Sequence, residues 1–256
     1  MSKDILVLKG GYGAEYGDRV GGIVEVTGIR GNVNKPSLNL NINNMTINGM
    51  AGIPINERSV LTLAYRQTYY NLADADNLSR KLRGNKGGKQ TDINVYPDYV
   101  FRDFNIKYAG STRSGDAFHL SLYQGKDNFS YEIDQEVAFN NKNCETALKN
   151  KNTFFISEHH KMVGGFEYTH SNLLFEADSS SEGQLESQAY GNRLSAFIQD
   201  EWRIGQLLLI TPGIRVDYPV HLSKLYLQPR ISASASISIH AEAVPFTPTI
   251  YLNLSF

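Results

Sequence analysis

Apolar and polar residues alternate with a period of two along most of this chain, and a helical period is nearly absent. Residues 37–43 place two leucines and an isoleucine on one face and a serine and three asparagines on the other, and residues 45–53 continue the pattern. Residues 225–238 alternate over about fourteen positions, compared with roughly five or six in an ordinary globular strand. The last nine residues alternate as well and end on an aromatic side chain. The pattern predicts an all-β fold whose strands are long enough to cross a membrane at a tilt.

Six further segments complete the predicted sheet. They are residues 59–67, 99–108, 116–124, 163–169, 193–202 and 207–218. With the first four they predict an antiparallel transmembrane β-barrel of about 10 to 12 strands. Glycines within residues 109–115 provide for a turn between two of these strands. The polar stretches 71–97 and 135–152 lack periodicity, and we predict long loops there.

The polar sides of these strands are rich in Asn, Ser, Thr, Gln and Tyr, with occasional Arg and Asp. This composition is typical of a hydrated barrel lumen, and tyrosines near strand ends are typical of the aromatic girdles of membrane barrels. A soluble β-sandwich or lipocalin-like barrel would also alternate, with more Lys and Glu on its polar side. Both readings remain open on pattern alone.

Composition narrows the function only slightly. The 256 residues carry a formal net charge of -1, which gives no reason to expect a nucleic-acid partner. The single cysteine, Cys144, cannot form an internal disulfide. No apolar run approaches the roughly 18 residues of a transmembrane helix. Residues 1–10 contain an apolar core of only Ile5 to Leu8, so we predict no export signal in this chain.

Residues 10–27 form a glycine-rich segment, GGYGAEYGDRVGGIVEVT. Its glycines allow the backbone to pass closely along a packed surface, and Glu15 and Arg19 could pair with charges there. The segment lacks the Gly-Lys-Ser/Thr ending of a phosphate-binding loop. It resembles the end of the plug domain of TonB-dependent outer-membrane receptors, where a Glu-Tyr-Gly-x-Arg turn and a Gly-Gly pair precede the first barrel strand.

Other segments resemble the same family in the same order along the chain. They are residues 58–70, 99–108, 119–129, 196–202, 212–218, 228–231 and the terminal 244–256. Residues 99–108 are similar to a strand of Bacteroidetes-type receptors. The three segments between residues 196 and 231 are the most specific signal of the resemblance. The resemblance divides the chain into residues 1–32, a C-terminal remnant of the plug domain, and residues 33–256, a shortened β-barrel.

The resemblance implies a function and a set of site residues. It implies import of a scarce nutrient, such as a ferric chelate, a cobalamin or an oligosaccharide, across the Gram-negative cell outer membrane. It implies partners, namely TonB with its inner-membrane motor, the barrel-assembly machinery, outer-membrane lipid and a small-molecule or glycan ligand, and no enzyme activity, cofactor or metal. The implied plug–barrel contacts are Glu15, Tyr16, Gly17 and Arg19, the implied lumen-facing residues are Arg66, Arg215, Asp217 and Arg230, and the implied assembly signal is Phe256.

The chain is much shorter than the family's usual barrel of about twenty-two strands. We therefore expect an incomplete copy, with a lumen too narrow to hold the remnant at residues 10–27 as a plug. The alternatives are a small outer-membrane barrel with an enzyme or adhesin role, and a soluble β-sandwich binding module. His159, His160 and His170 are not expected to form a metal site, because adjacent histidines on a strand point to opposite faces.

Overall fold

The computed structural model of the protein describes residues 2–8, 12–17, 22–28, 31–43, 45–69, 80–86, 89–133, 137–179, 183–205, 207–236 and 249–255. These residues form antiparallel β-structure, with one short 3-10 turn at Val220–Leu222. None of the described residues belongs to a helix long and apolar enough to cross a membrane.

The strands, numbered in chain order, occupy most of the described residues. They are β1 (Ser2–Leu8), β2 (Ile23–Gly28), β3 (Ser37–Ile42), β4 (Thr46–Asn56), β5 (Ser59–Thr68), β6 (Arg80–Lys86), β7 (Lys89–Ser111), β8 (Ala117–Ile133), β9 (Val137–Phe155), β10 (His160–Ser179), β11 (Gly183–Ile204), β12 (Leu208–Pro219), β13 (Tyr226–Ser236) and β14 (Thr249–Ser255). Strands β7 to β11 are far longer than globular strands. The predicted all-β, antiparallel fold is confirmed.

Two sheets are present in the described residues. Strands β1 and β2 pair with each other. The large sheet is an up-and-down row of eleven strands in the order β3-β4-β5-β7-β8-β9-β10-β11-β12-β13-β14, and β6 pairs with the first part of β7. Because consecutive strands of the row are antiparallel and their number is odd, β3 and β14 run in the same direction. No pairing among the described residues joins β3 to β14, so the predicted closed barrel is not found.

The large sheet has two chemically different faces, and its register assigns each residue to one of them. The apolar face carries large side chains that are exposed to the surroundings; Leu40, for example, is 70% exposed. Other members of this face are Leu38, Ile42, Ile47, Ile53, Phe104, Leu120, Leu122, Phe166, Leu194, Ile198, Leu227 and Ile231. Such a continuous exposed apolar surface is far larger than a soluble monomer presents to water.

The opposite, polar face carries amides, hydroxyls and charges, and several of them are deeply buried. Arg215 is 1% exposed and Asp217 is 2% exposed, while Ser195 and Gln199 are also buried. Burying a charge in this way is costly unless it is paired and hydrogen-bonded. The sheet is therefore inverted relative to a soluble protein, with charges inside and aliphatic side chains outside.

The two ends of the large sheet differ in the length of their strands. Short turns at residues 57–58, 112–116 and 156–159 join neighbouring strands at what we call the short-turn end. At the opposite, extended end, β7 to β11 continue well beyond the paired parts of β5 and β12. Short turns at one end and longer excursions at the other are typical of outer-membrane barrels.

The prediction of a long loop at residues 135–152 is wrong. This stretch lies almost wholly in β9, which pairs with β8 from Val137 to Thr153 and with β10 from Val137 to Phe155. A strand with partners on both sides has its backbone hydrogen bonds satisfied whatever its side chains are. The prediction of a loop at residues 71–97 is wrong in part, because β6 and the start of β7 lie there.

Candidate functional site

The most deeply buried part of the polar face is a hydrogen-bonded cluster around Asp217, on β11 to β13. The carboxylate accepts hydrogen bonds from Arg215 Nε at 3.0 and 3.1 Å, from Gln228 Nε2 at 2.7 Å and from the Ser195 hydroxyl. Residues two apart on a strand share a face, and the register of β11, β12 and β13 brings the other partners alongside.

The Arg215 guanidinium lies between this cluster and the N-terminal part of the chain. Its next carboxylate, Glu167, is 4.0 Å away, which is too far for a hydrogen bond. Its Nη1 donates to the backbone carbonyl of Glu15 at 3.3 Å. Arg215 therefore connects the sheet to the N-terminal segment that contains Glu15.

Residues 12–17 form a tight turn, which we call the docked turn, on the polar face near the short-turn end. The Tyr16 amide donates to the Gly13 carbonyl at 3.2 Å, which closes the turn. Arg230 Nη1 donates to the Gly13 carbonyl at 3.1 Å and to the Tyr16 carbonyl, and its guanidinium lies 5.7 Å from the Tyr12 ring centroid. Carbonyl groups of the turn, which would be expensive to bury unpaired, thus receive charge-assisted hydrogen bonds from the wall.

A salt bridge also anchors the docked turn. The Glu15 carboxylate pairs with Lys151 of β9, and the side chains are 19% and 41% exposed respectively. The turn therefore contacts three strands of the wall, β9, β12 and β13, through Lys151, Arg215 and Arg230. Contacts over so wide a span fix its position on the sheet.

Two glycines allow the docked turn to approach this closely. A Cβ atom on Gly13 would lie 2.2 Å from Oε1 of Gln199, and one on Gly17 would lie 2.3 Å from Nε of Arg215. Real side chains essentially never come so near. Any larger residue would have to displace the Gln199 amide or the hydrogen-bonded Arg215 guanidinium, so glycine lets the backbone itself be the contact surface.

The docked turn is also linked to the small sheet. The Tyr16 hydroxyl donates to the Glu25 carboxylate on β2. Burial raises the pKa of the Tyr16 phenol above its ordinary value, and the hydrogen bond to Glu25 raises the pKa further. Tyr16 therefore remains a neutral donor and holds β2 against the turn.

A cavity of about 920 Å³ lies between β2 and the polar face of β3 to β9. Its wall carries the amides of Asn39, Asn41, Asn48 and Asn105. Neutral amides can donate and accept hydrogen bonds, so this space suits water or a polar solute. The expectation that a closed lumen is too narrow for residues 10–27 stays a prediction, because the sheet is open; on its polar face there is room for both the docked turn and this cavity.

The structure brings most of the predicted site residues together. Glu15, Tyr16 and Gly17 contact Arg215 or Arg230, and Asp217 supports Arg215. Arg66 lies on the same face but in a different cluster, where its guanidinium pairs with Asp103 at 2.6 Å. Arg19 and Phe256 lie outside the described residues.

Sequence reasoning missed several residues of the site. Lys151 falls in the stretch predicted to be a loop, and Gln199, Ser195 and Gln228 were not distinguished from other polar residues of their strands. For Ser195 and Gln228 the available signal was their position between apolar neighbours on a strand that carries a charged contact, whereas Lys151 lies between two asparagines and offered no such signal. The partners across the sheet could be found only from the register.

Histidines do not form a metal site in the part of the chain that is described. No group of three or more His, Cys, Asp or Glu side chains there could hold a metal ion. The ring of His160 instead lies beside Asp200, with Nδ1 at 2.6 Å from the carboxylate, and stacks on Trp202.

Comparison of the chain with protein-family models and with curated proteins returned no match.

Proposed function

We propose that this chain is part of the wall and plug of a TonB-dependent outer-membrane receptor that imports a scarce nutrient. The observation that carries the proposal is the inversion of the sheet, with buried Arg215 and Asp217 on one face and exposed aliphatic side chains on the other. In water such an arrangement is unfavourable, whereas in a bilayer the apolar face meets lipid and the polar face lines a lumen.

Aromatic residues on the apolar face support a membrane setting. Tyr108 and Trp202 lie near the short-turn end, and Tyr65 and Tyr218 lie toward the other end of their strands. Tyrosine and tryptophan favour membrane interfaces because one part of each ring system is apolar and another is polar.

The docked turn favours the function of a gated receptor over that of an open pore. A glycine-rich segment held on the polar face by one salt bridge and by guanidinium–carbonyl hydrogen bonds can be released without unfolding the wall. In a receptor of this class, TonB and its inner-membrane motor would supply the pull that releases it. Among the described residues, the row of eleven strands leaves its two edge strands, β3 and β14, without an outer partner. We therefore propose that the chain is an incomplete copy of a receptor and does not transport by itself.

Refolding tests the membrane part of the proposal. The chain is expected to fold in detergent micelles or lipid vesicles and to migrate differently on gels before and after heating, because its apolar face requires lipid. A chain that is monomeric and folded in plain buffer would contradict the proposal and favour the β-sandwich module.

Uptake tests the receptor part. In a full-length receptor that contains these residues, replacing Glu15 and Arg230 by alanine together is expected to alter nutrient uptake, because both hold the docked turn. Replacing Lys142 and Glu176, an exposed pair elsewhere on the wall, serves as the control. Unchanged uptake in the first variant would remove the plug assignment.

A further inference from the structure

Six aromatic rings form a continuous row across four strands at the extended end of the large sheet, which we call the aromatic row. In order of contact they are Phe101, Tyr99, Phe129, Tyr131, Phe139 and Phe175. Neighbouring ring centroids are 4.7 to 6.3 Å apart. Cross-strand aromatic contacts do stabilise a sheet, but they do not require a row that stays open to solvent. Phe129 in its middle is 41% exposed.

The register places the aromatic row on the polar face, on the same side as the docked turn. Tyr99 lies directly opposite Phe129. Four residue pairs further along the two strands, and on the same face, Asp103 lies opposite Gly125. At this level the other face of the sheet is polar as well. There Glu176 accepts hydrogen bonds from Asn140 at 2.6 Å and from Lys142 at 3.1 Å. Because the face that would meet lipid is polar at this level, the aromatic row lies beyond the lipid and is not a membrane girdle.

The polar groups beside the aromatic row suit a neutral ligand with many hydroxyls. Asp127 lies opposite Phe101 and accepts a hydrogen bond from Asn143 at 3.2 Å. The Arg66 guanidinium covers the Phe101 ring at 4.7 Å, but Asp103 neutralises its charge. Carboxylate and amide groups can bind hydroxyls, whereas an anionic chelate would require uncompensated positive charge.

We propose that the aromatic row is a binding platform for a neutral oligosaccharide. The C–H groups on the face of a pyranose ring are weakly positive and pack on the negative face of an aromatic ring. Asp127 and Asn143 supply the few directional hydrogen bonds that fix the sugar. The inference rests on the proposed function, since it selects the glycan among the nutrients such a receptor could import.

The test measures binding of maltohexaose to the full chain refolded in detergent, by saturation-transfer difference NMR and titration. Phe129→Ala is expected to weaken binding roughly three- to tenfold, the equivalent of one lost ring contact. Phe129→Leu keeps an apolar side chain for the sheet but lacks the ring, and it is expected to weaken binding similarly. The matched control is Phe166→Ala, which removes a ring of similar exposure, 45%, from the apolar face.

The outcomes separate this inference from the proposed function. Heat-dependent gel migration of the same samples reports the membrane fold independently of any ligand. If that migration persists but maltohexaose does not bind, or if Phe166→Ala weakens binding as much as Phe129→Ala, the platform is overturned and the membrane proposal stands. Ring-dependent binding of a ferric catecholate in place of maltohexaose would also overturn it. Ring-dependent sugar binding by a chain that folds without detergent would support the platform and contradict the membrane proposal.

Discussion

Removal of the Asp217 carboxylate is the sharpest perturbation of the polar face. In Asp217→Ala the Arg215 guanidinium, 1% exposed, loses its only directly hydrogen-bonded carboxylate among the described residues, and Ser195 and Gln228 lose an acceptor. Removing the hydrogen-bonded partner of a buried charge in this way costs about 3 to 5 kcal/mol, because the remaining carboxylate, Glu167, lies 4.0 Å from Arg215 and accepts no hydrogen bond from it. With a urea dependence of about 3 kcal/mol per molar, the unfolding midpoint falls by roughly 1 to 1.7 M.

Urea unfolding in detergent micelles, followed by fluorescence of the single tryptophan, Trp202, measures this loss. The matched control is Asp103→Ala, which breaks an Arg–Asp pair whose arginine, Arg66, is half exposed. Solvent screens such a pair, so the control is expected to cost at most about 1 kcal/mol. If Asp217→Ala were no more destabilising than Asp103→Ala, the polar face would not be a water-poor interior and the inversion argument would fail.

Three further predictions concern the turn, the apolar face and pH. Gly17→Val is expected to release the docked turn, seen as faster proteolysis there, whereas Gly191→Val, where an added Cβ meets nothing within 4 Å, leaves it unchanged; equal proteolysis would refute the tight contact. Leu40→Lys is expected to destabilise the chain folded in vesicles by up to about 2 to 4 kcal/mol if residue 40 lies near the bilayer centre, and Asn41→Lys, on the polar face, is expected to destabilise it much less. If Asn41→Lys were the more destabilising, the assignment of the two faces would be reversed. A backbone N–H from the end of β9, followed by a serine hydroxyl, lowers the pKa of Asp116. Its stabilising effect is therefore present above the ordinary carboxyl pKa and is lost as the pH falls through the lowered value; Asp116→Asn should flatten that part of the pH–stability profile, and an unchanged profile would exclude the effect.

The strands that could be predicted from the sequence are those with one apolar face. Residues 37–43 and much of 207–218 alternate between apolar and polar side chains, and the structure places β3 and β12 there within a residue or two at each end. Strand β9 could not be predicted in this way. Its outward side chains include Asn150 and Asn152, so neither face shows an apolar period.

The charged residues of the site could be identified, but their partners could not. Arg215, Asp217 and Arg230 stand out as charges in otherwise apolar or small-residue strands, and Glu15 stands out in a glycine-rich turn. The contact between Arg215 and Glu15 joins positions 200 apart. Such a contact depends on the register of several intervening strands, and local pattern does not encode the cumulative shift between them.

The directions of β3 and β14 impose a rule of parity on any closed form of this wall. Strands that alternate up and down can close on themselves with antiparallel seams only if their number is even, and the row found here has eleven. Copies of the chain related by rotation about the membrane normal keep every strand direction, so each β14-to-β3 junction between copies would again be a parallel seam. A closed barrel built on this wall with only antiparallel seams therefore requires an odd number of strands in addition to the eleven found in the described residues.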